Sequence, residues 1–236
     1  MTTGLPALRL KGHRFPRKII AYAVRVCLRF SLSLRDVEEL LAESGVTVSY
    51  ETIRTWVAKF GMQFAAMIRR GRPRPADKWR LDEVVIQMGG QTHWLWRAID
   101  ADGEVLDILV QPRRNASAAK RFLRKLIRRW GRPRVIVTDK LGSYAKAIGD
   151  LVPGLEHRRH KGLNNRAEAS HRHTRRREKL LGRFKSSRHA QQLLSAHDQV
   201  AALFRPKRRR LSARSYRHAR SDAFGLWREH TSMLVA

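Results

Sequence analysis

Acidic residues are scarce in this chain. Its 236 residues hold 20 Asp+Glu against 50 Lys+Arg, a formal charge of +30. That excess goes far beyond what solubility needs, and it predicts a polyanionic partner, with nucleic acid as the default. It is also uneven: from His157 to Arg220 there are 20 Lys+Arg and three acids, Glu168, Glu178 and Asp198. Cysteine is nearly absent. The lone Cys27 excludes an internal disulfide framework and any cysteine-based zinc site, and it fits a reducing cytosol. No apolar run approaches the roughly 20 residues of a membrane span, and no charged-then-apolar signal opens the chain. A cytoplasmic, nucleoid-associated protein is therefore expected. Gly-rich phosphate loops and Ser/His/Asp arrangements are missing as well, so phosphate-cradle and acyl-transfer chemistry have no visible carrier. Where acids are this rare, each one placed at the end of a regular element carries information.

The 42% hydrophobic content is enough for a true core. Pro16 opens a helix in which Ile19, Ile20, Ala23, Val24, Val26 and Cys27 recur at helical spacing. Ser33 is an N-cap for a second helix with Leu34, Val37, Leu40 and Leu41 on one face, stopped by Gly45. A third helix starts near Ser49. Its segment SYETIRTWVAKFG turns Ile53, Trp56, Val57 and Phe60 inward and Tyr50, Glu51, Arg54, Thr55 and Lys59 outward. Helices about a glycine turn in so basic a chain predict a helix-turn-helix region over 1–70, with Tyr50, Arg54 and Lys59 as DNA contacts. The bland alternative is a three-helix packing unit with no DNA role. GRPRP then reads as a linker, 71–78.

From Trp79 the period changes to two. LDEVVIQMGG, HWLWRAIDADG and EVLDILVQP predict three antiparallel strands turning at Gly89-Gly90 and Asp102-Gly103. Asn115 caps a helix running to Trp130, apolar along Ala119, Phe122, Leu123, Leu126 and Ile127 and cationic elsewhere. The β-branched run Val135, Ile136, Val137 predicts a central strand that delivers Asp139 at its C-terminal end. A short helix over Ser143–Ile148, a strand over Leu155–His160, a long helix from about Asn164 and another over Ser186–Phe204 complete the order. The tail from Arg205 is basic and weakly periodic, and is expected to gain structure only on DNA.

This order predicts an α/β fold: an RNase H-like mixed sheet with flanking helices over 79–204, preceded by the all-α region and followed by a basic tail, 205–236. In that architecture the first and fourth strands are neighbours, so Asp82 and Asp139 meet, and Glu168 on the later helix closes the site. Phosphodiester attack in such enzymes uses two metal ions roughly 3.5–4 Å apart, which several hard carboxylate ligands share. Each acid also has an ordinary explanation: Asp82 as a strand-edge solubility residue, Asp139 in a turn, Glu168 paired with Arg172 one turn on. It is the coincidence of all three that argues for catalysis. At helical spacing Glu168, Arg172, Arg175 and Lys179 share one face, a carboxylate backed by a cationic stripe. A zinc cluster of His157, His160, His171 and His173 ranks below a role for these histidines near phosphate or water. Trp94 and Trp96 read as core and helix cover rather than a base-stacking platform, and Asn164 and Asn165 as caps of the Glu168 helix.

The residues FPRKIIAYAV, YETIRTWV, LDEV, WLWRAIDADGEVLD, TDK with Ser143-Tyr144, EHR and LNNRAEASHRHTRRRE closely resemble the DDE transposases of bacterial insertion sequences, the group called insertion-sequence family six, in the retroviral-integrase superfamily. The resemblance spans about residues 10 to 204. It implies Asp82, Asp139 and Glu168 as the DDE triad, catalytic and metal-binding, and Arg175 at the position where the group carries a basic residue. It further implies dependence on Mg²⁺, two ions per site with Mn²⁺ able to substitute, in a bacterial or archaeal cell. The implied partners are double-stranded DNA, as element ends and target, and further copies of the chain in a dimeric or larger synapse. Cointegrate formation by copying is the implied outcome. Two other readings stay open from the residues alone: a catalytically inactive helix-turn-helix regulator, and a plain RNase H-like nuclease.

Overall fold

The computed structural model describes residues 8–9, 13–30, 32–160, 171, 175–176, 178–179, 184–206, 211–232 and 234–235. The chain divides into two units, Pro73–Ser195 and Met1–Arg72 with Ala196–Ala236.

In the second of these, α1 (Arg17–Arg29), α2 (Leu34–Glu43) and α3 (Tyr50–Arg70) form where the apolar periodicity places them. Ser33 makes a reciprocal capping box with Asp36, its Oγ accepting from the Asp36 N–H while the Asp36 carboxylate accepts from the Ser33 N–H. Gly45 takes φ +76° to end α2. The four predicted inward residues of α3, Ile53, Trp56, Val57 and Phe60, are all buried. The helix does not stop at Gly61 but runs nine residues further. Gly61 sits at a close approach, where a Cβ would lie 3.3 Å from Leu28 Cδ1, and Phe64, Ala65, Met67 and Ile68 continue the buried face beyond it.

The expectation for the C-terminal segment is corrected. Ala213–Ser232 is a helix, and Leu234–Val235 pairs in parallel with Leu8–Arg9. This helix packs on α1 and α3, with Trp227 tilted against Phe64 at 4.9 Å between ring centroids. Its seam is narrow and rests on Ala223 and Trp227, so mean periodicity stays weak although the anchor is strong.

The unit Pro73–Ser195 is built on a five-stranded sheet. With Leu8–Arg9 as β1, its strands are β2 (Lys78–Met88), β3 (Gln91–Asp100), β4 (Val105–Gln111), β5 (Val135–Thr138) and β6 (Glu156–Arg159), in the order β4-β3-β2-β5-β6. The β2-β3-β4 meander is antiparallel, whereas β5 pairs in parallel with both β2 and β6. This is the RNase H-like arrangement. Gly89 and Gly90, at φ +54° and +76°, make the tight first hairpin. In the second hairpin Asp100 Oδ1 accepts the Asp102 and Glu104 N–H groups at 2.9 Å each. Helices α4 (Ala116–Trp130) and α5 (Gly142–Leu151) cover one sheet face, closing a core of Trp79, Leu81, Trp96, Phe122, Leu126 and Tyr144. Helix α6 (Ser187–Leu203) begins in this unit and ends in the other; α7 is Ala213–Ser232. Gln191 of α6 finishes the open edge of β4, accepting from Val110 N–H at 2.8 Å and donating to Ile108 O at 3.2 Å. Among the described residues no helix is long and apolar enough to cross a membrane.

Candidate active site

Parallel pairing of β2 with β5 runs Lys78↔Val135, Trp79↔Ile136, Arg80↔Val137. Two residues beyond the last pair on each strand come Asp82 and Asp139, so strand register alone brings them level. One carboxylate oxygen from each of Asp82, Glu83 and Asp139 lies within 4.8 Å of the other two.

The three acids are held differently. Alternation along β2 turns Glu83 toward the helices, where its side chain has no solvent exposure. There Tyr144 of α5 donates its hydroxyl to Glu83 Oε2 at 2.6 Å, and Arg114 donates Nε–H to Oε1 at 2.8 Å. Burial raises the Glu83 carboxyl above its ordinary range, while the bonds from Tyr144 and Arg114 pull it back. Burial and the neighbouring carboxylates push the Tyr144 phenol well up, so it remains a donor. Arg114 lies over the Trp94 ring at 4.8 Å and reaches Asp139 Oδ2 at 3.6 Å, so one guanidinium links both acids.

Asp139 uses Oδ1 to accept the Leu141 N–H at 3.0 Å. The turn role weighed from sequence is real, and it coexists with an Oδ2 that points toward Arg114 and the other acids. Asp82 faces the other way from Glu83, its Oδ2 3.3 Å from His171 Nε2. The buried Arg97 is its cross-strand neighbour on β3. An open groove of about 700 Å³ lies over Asp82, lined also by His171, Arg175, Arg176 and Lys179. Glu178 anchors this helical stretch, accepting from the Gln87 N–H and from Arg175, both at 3.1 Å.

Of the sequence-predicted residues, Asp82 and Asp139 converge, and Arg175 and Lys179 share a groove with Asp82. Glu168 and Arg172 lie outside the described residues, as does His173. In the other unit Arg54 is ion-paired to Glu51, Arg35 lies over the Tyr50 ring at 5.4 Å, and Lys59 Nζ sits 2.8 Å from His13 Nε2. Two histidines of the weighed zinc cluster lie against separate residues: His157 shares a hydrogen bond with Thr138 at 2.9 Å, and His171 Nε2 stands 3.3 Å from Asp82 Oδ2. Sequence reasoning missed Glu83, Arg114 and Tyr144 as one network. The available signal was a second carboxylate inside a strand of an acid-poor chain, where a charge needs a partner.

That network yields a stability prediction. Tyr144→Phe leaves a buried Glu83 oxygen without its donor and should cost about 1–3 kcal/mol in denaturant unfolding. The raised Glu83 carboxyl favours folding most when protonated, and that contribution is lost as pH rises through its raised folded value. Losing the Tyr144 bond raises it further, so the deficit of the variant should widen from the ordinary glutamate range toward neutrality. A deficit independent of pH would contradict the assigned bond.

An RNase H-like sheet with carboxylates gathered where the pairing of its central strands β2 and β5 ends is the frame of a DDE-type polynucleotidyl transferase. A family model of IS240-type DDE transposases, described as a DDE domain, matches residues 76–207. The transposase for insertion sequence-like element IS431mec of Staphylococcus aureus is 32% identical over 203 residues, covering 84% of this chain and 89% of the relative. The transposase for insertion sequence element IS257 in transposon Tn4003, also of Staphylococcus aureus, matches with the same identity and coverage. Weaker likenesses of fold reach the catalytic core domain of HTLV-2 integrase in complex with magnesium, at TM-score 0.38 and 15% identity over 56% of this chain and 88% of that one. A simian T-cell lymphotropic virus intasome is similar at TM-score 0.42 and 18% identity, over 53% and 49%. The chain belongs to the DDE transposases of bacterial insertion sequences, insertion-sequence family six, in the retroviral-integrase superfamily.

Proposed function

We propose that this transposase binds the terminal inverted repeats of its element, cuts a strand at each end and joins the freed 3′-hydroxyl to target DNA, with replicative cointegrates as the product. The observation that carries the reading is the meeting of Asp82 and Asp139 across the β2-β5 pair in a chain of this family.

The residues present suit a divalent cation of the Mg²⁺ type. Their donor atoms are hard carboxylate oxygens within 4.8 Å of one another, and Glu83 is committed to Tyr144 and Arg114, which leaves Asp82 and Asp139 as ligands. Glu168 is proposed to complete the set, two ions are proposed per site, and Mn²⁺ should substitute. The chemistry such ions supply is Lewis-acid stabilisation of charge on the phosphate and acidification of the attacking hydroxyl. The protein does the rest. Arg114, fixed by Glu83, keeps Asp139 oriented and offers a cation at the rim. His171 stands beside Asp82, its Nε2 3.3 Å from Oδ2. Arg172, Arg175 and Lys179 are proposed to grip the backbone of the DNA strand being cut, while Tyr50, Arg54 and Lys59 on α3 read the element end from a major groove. Two or more copies are proposed to hold the two ends in one synapse.

The test uses the full chain, a duplex carrying the element end, and a plasmid target with Mg²⁺. Joined products should form and should vanish when a chelator removes the metal. Nicks that accumulate in Mg²⁺ without joined DNA would reduce the activity to hydrolysis.

A further inference from the structure

Helix α4 carries more positive charge than its packing needs. Its inner face, Ala118, Ala119, Phe122, Leu123 and Leu126, is buried, and its outer face presents Arg121, Arg124, Lys125, Arg128 and Arg129. These five cations, with Ser117 and Leu109 of β4, line a groove of about 650 Å³ that has no acid among its described lining residues, the one paired carboxylate, Asp107, being buried beneath it. The groove is also pre-set. Asp107 of β4, buried with a side chain only 2% exposed, accepts from Lys125 at 2.9 Å and faces Arg129 at 3.7 Å. Lys125 donates in addition to Ile108 O at 3.0 Å, and Arg121 donates to Gln111 Oε1 at 2.8 Å. Arg124 and Arg128 are exposed and carry no ion pair among the described residues. Holding cations in place before a ligand arrives removes part of the ordering cost of binding.

The placement says what the groove fits. Arg114, the guanidinium at the carboxylates, precedes the Asn115 N-cap of α4 by one residue. From there Arg121, Arg124 and Arg128 follow one another at helical spacing, and at 1.5 Å per residue Arg128 lies roughly 20 Å along the axis from the catalytic end. At about 3.4 Å per base step that reach is roughly six base pairs of duplex. A row of arginines leading away from a phosphodiester-cutting site suits a polyanion that continues past the cut, and arginine favours phosphate by its forked donors.

We propose that the α4 groove is a second DNA surface: it holds the phosphate backbone of duplex DNA beyond the scissile position, without reading sequence. The inference rests on the DNA-joining reading above. Neutralising Arg121, Arg124 and Arg128 together should flatten the dependence of binding on salt, because each phosphate contact contributes about −0.9 to the slope of log K against log salt.

The experiment compares the full chain with the R121Q/R124Q/R128Q variant on a duplex that extends well past the element end, over a salt series. Arg134→Gln, whose side chain is already paired with Asp77, controls for the loss of one surface arginine outside the groove. The triple variant should lose about 2 to 3 from the slope and bind the long duplex more weakly, while still cutting a short end duplex at saturating protein. Arg134→Gln should leave the slope near that of the parent. An unchanged slope in the triple variant, with the parent binding and cutting normally, overturns the inference and leaves the proposed function standing. Loss of self-association in the triple variant with the slope unchanged also overturns it, and assigns the groove to a second copy of the chain. A parent that neither binds nor cuts end DNA removes the reading beneath it.

Discussion

Asp82→Asn should fold and bind duplex DNA like the parent yet lose strand cleavage by about a thousandfold or more. The substitution keeps shape and volume while replacing a charged oxygen by an amide nitrogen that repels a cation. Metal stabilisation of a phosphoryl transition state contributes several kcal/mol, and about 4 kcal/mol corresponds to roughly three orders of magnitude in rate. Stability should not fall with it. Asp82 stands within 4.8 Å of two other carboxylates but also beside His171 and the buried Arg97, so the repulsion relieved by removing its charge is offset by the attraction lost. The check is cleavage of end-containing DNA alongside denaturant unfolding. A variant that loses both together would be misfolded, whereas loss of cleavage alone with a midpoint near the parent's is the outcome expected of a ligand.

Trp96→Ala should give the opposite separation, a large loss of stability that carries activity down with it. Trp96 is fully buried in the core under α4 and α5, and its ring meets Tyr144 edge-on at 5.4 Å. Emptying so large a site costs about 3–5 kcal/mol through lost burial and the remaining cavity. The loss reaches the carboxylates by one short path, since Tyr144 holds Glu83, Glu83 holds Arg114, and Arg114 leans on Asp139. Cleavage should therefore fall below what the folded fraction alone accounts for. Denaturant curves followed by signals from the sheet unit, together with activity per folded molecule, separate the two contributions.

The legible parts of this fold are those with a local signature. The β2-β3 hairpin shows a period of two ending on Gly89-Gly90, and α2 carries a serine cap with an acid three residues on. Asp139 stood out because a charge closing the run Val135–Val137 has no packing reason to be there. Asp82 and Asp139 can be paired from the sequence because the strand order of an RNase H-like sheet fixes which strands touch. What escaped was tertiary. Glu83 meets Arg114 and Tyr144 across separations of 31 and 61 residues, and no spacing in the chain announces such a triple. Helix α7 escaped for a different reason: two anchors, Ala223 and Trp227, hold it by a seam too thin to lift its basic composition. The start of helix α3 at Ser49 is legible from its cap, whereas its length and the close approach of Gly61 to Leu28 depend on packing that the sequence does not display.

The proposed site unites Asp82 and Asp139 in one metal-dependent centre for cutting and joining DNA. The most direct measurement incubates parent and Asp139→Asn, at matched DNA occupancy, with pre-cut element ends and a plasmid target in Mg²⁺, and quantifies joined DNA on a gel. Joined product from the parent and none from the variant is the predicted result, and joining by Asp139→Asn at the parent's rate would contradict the account.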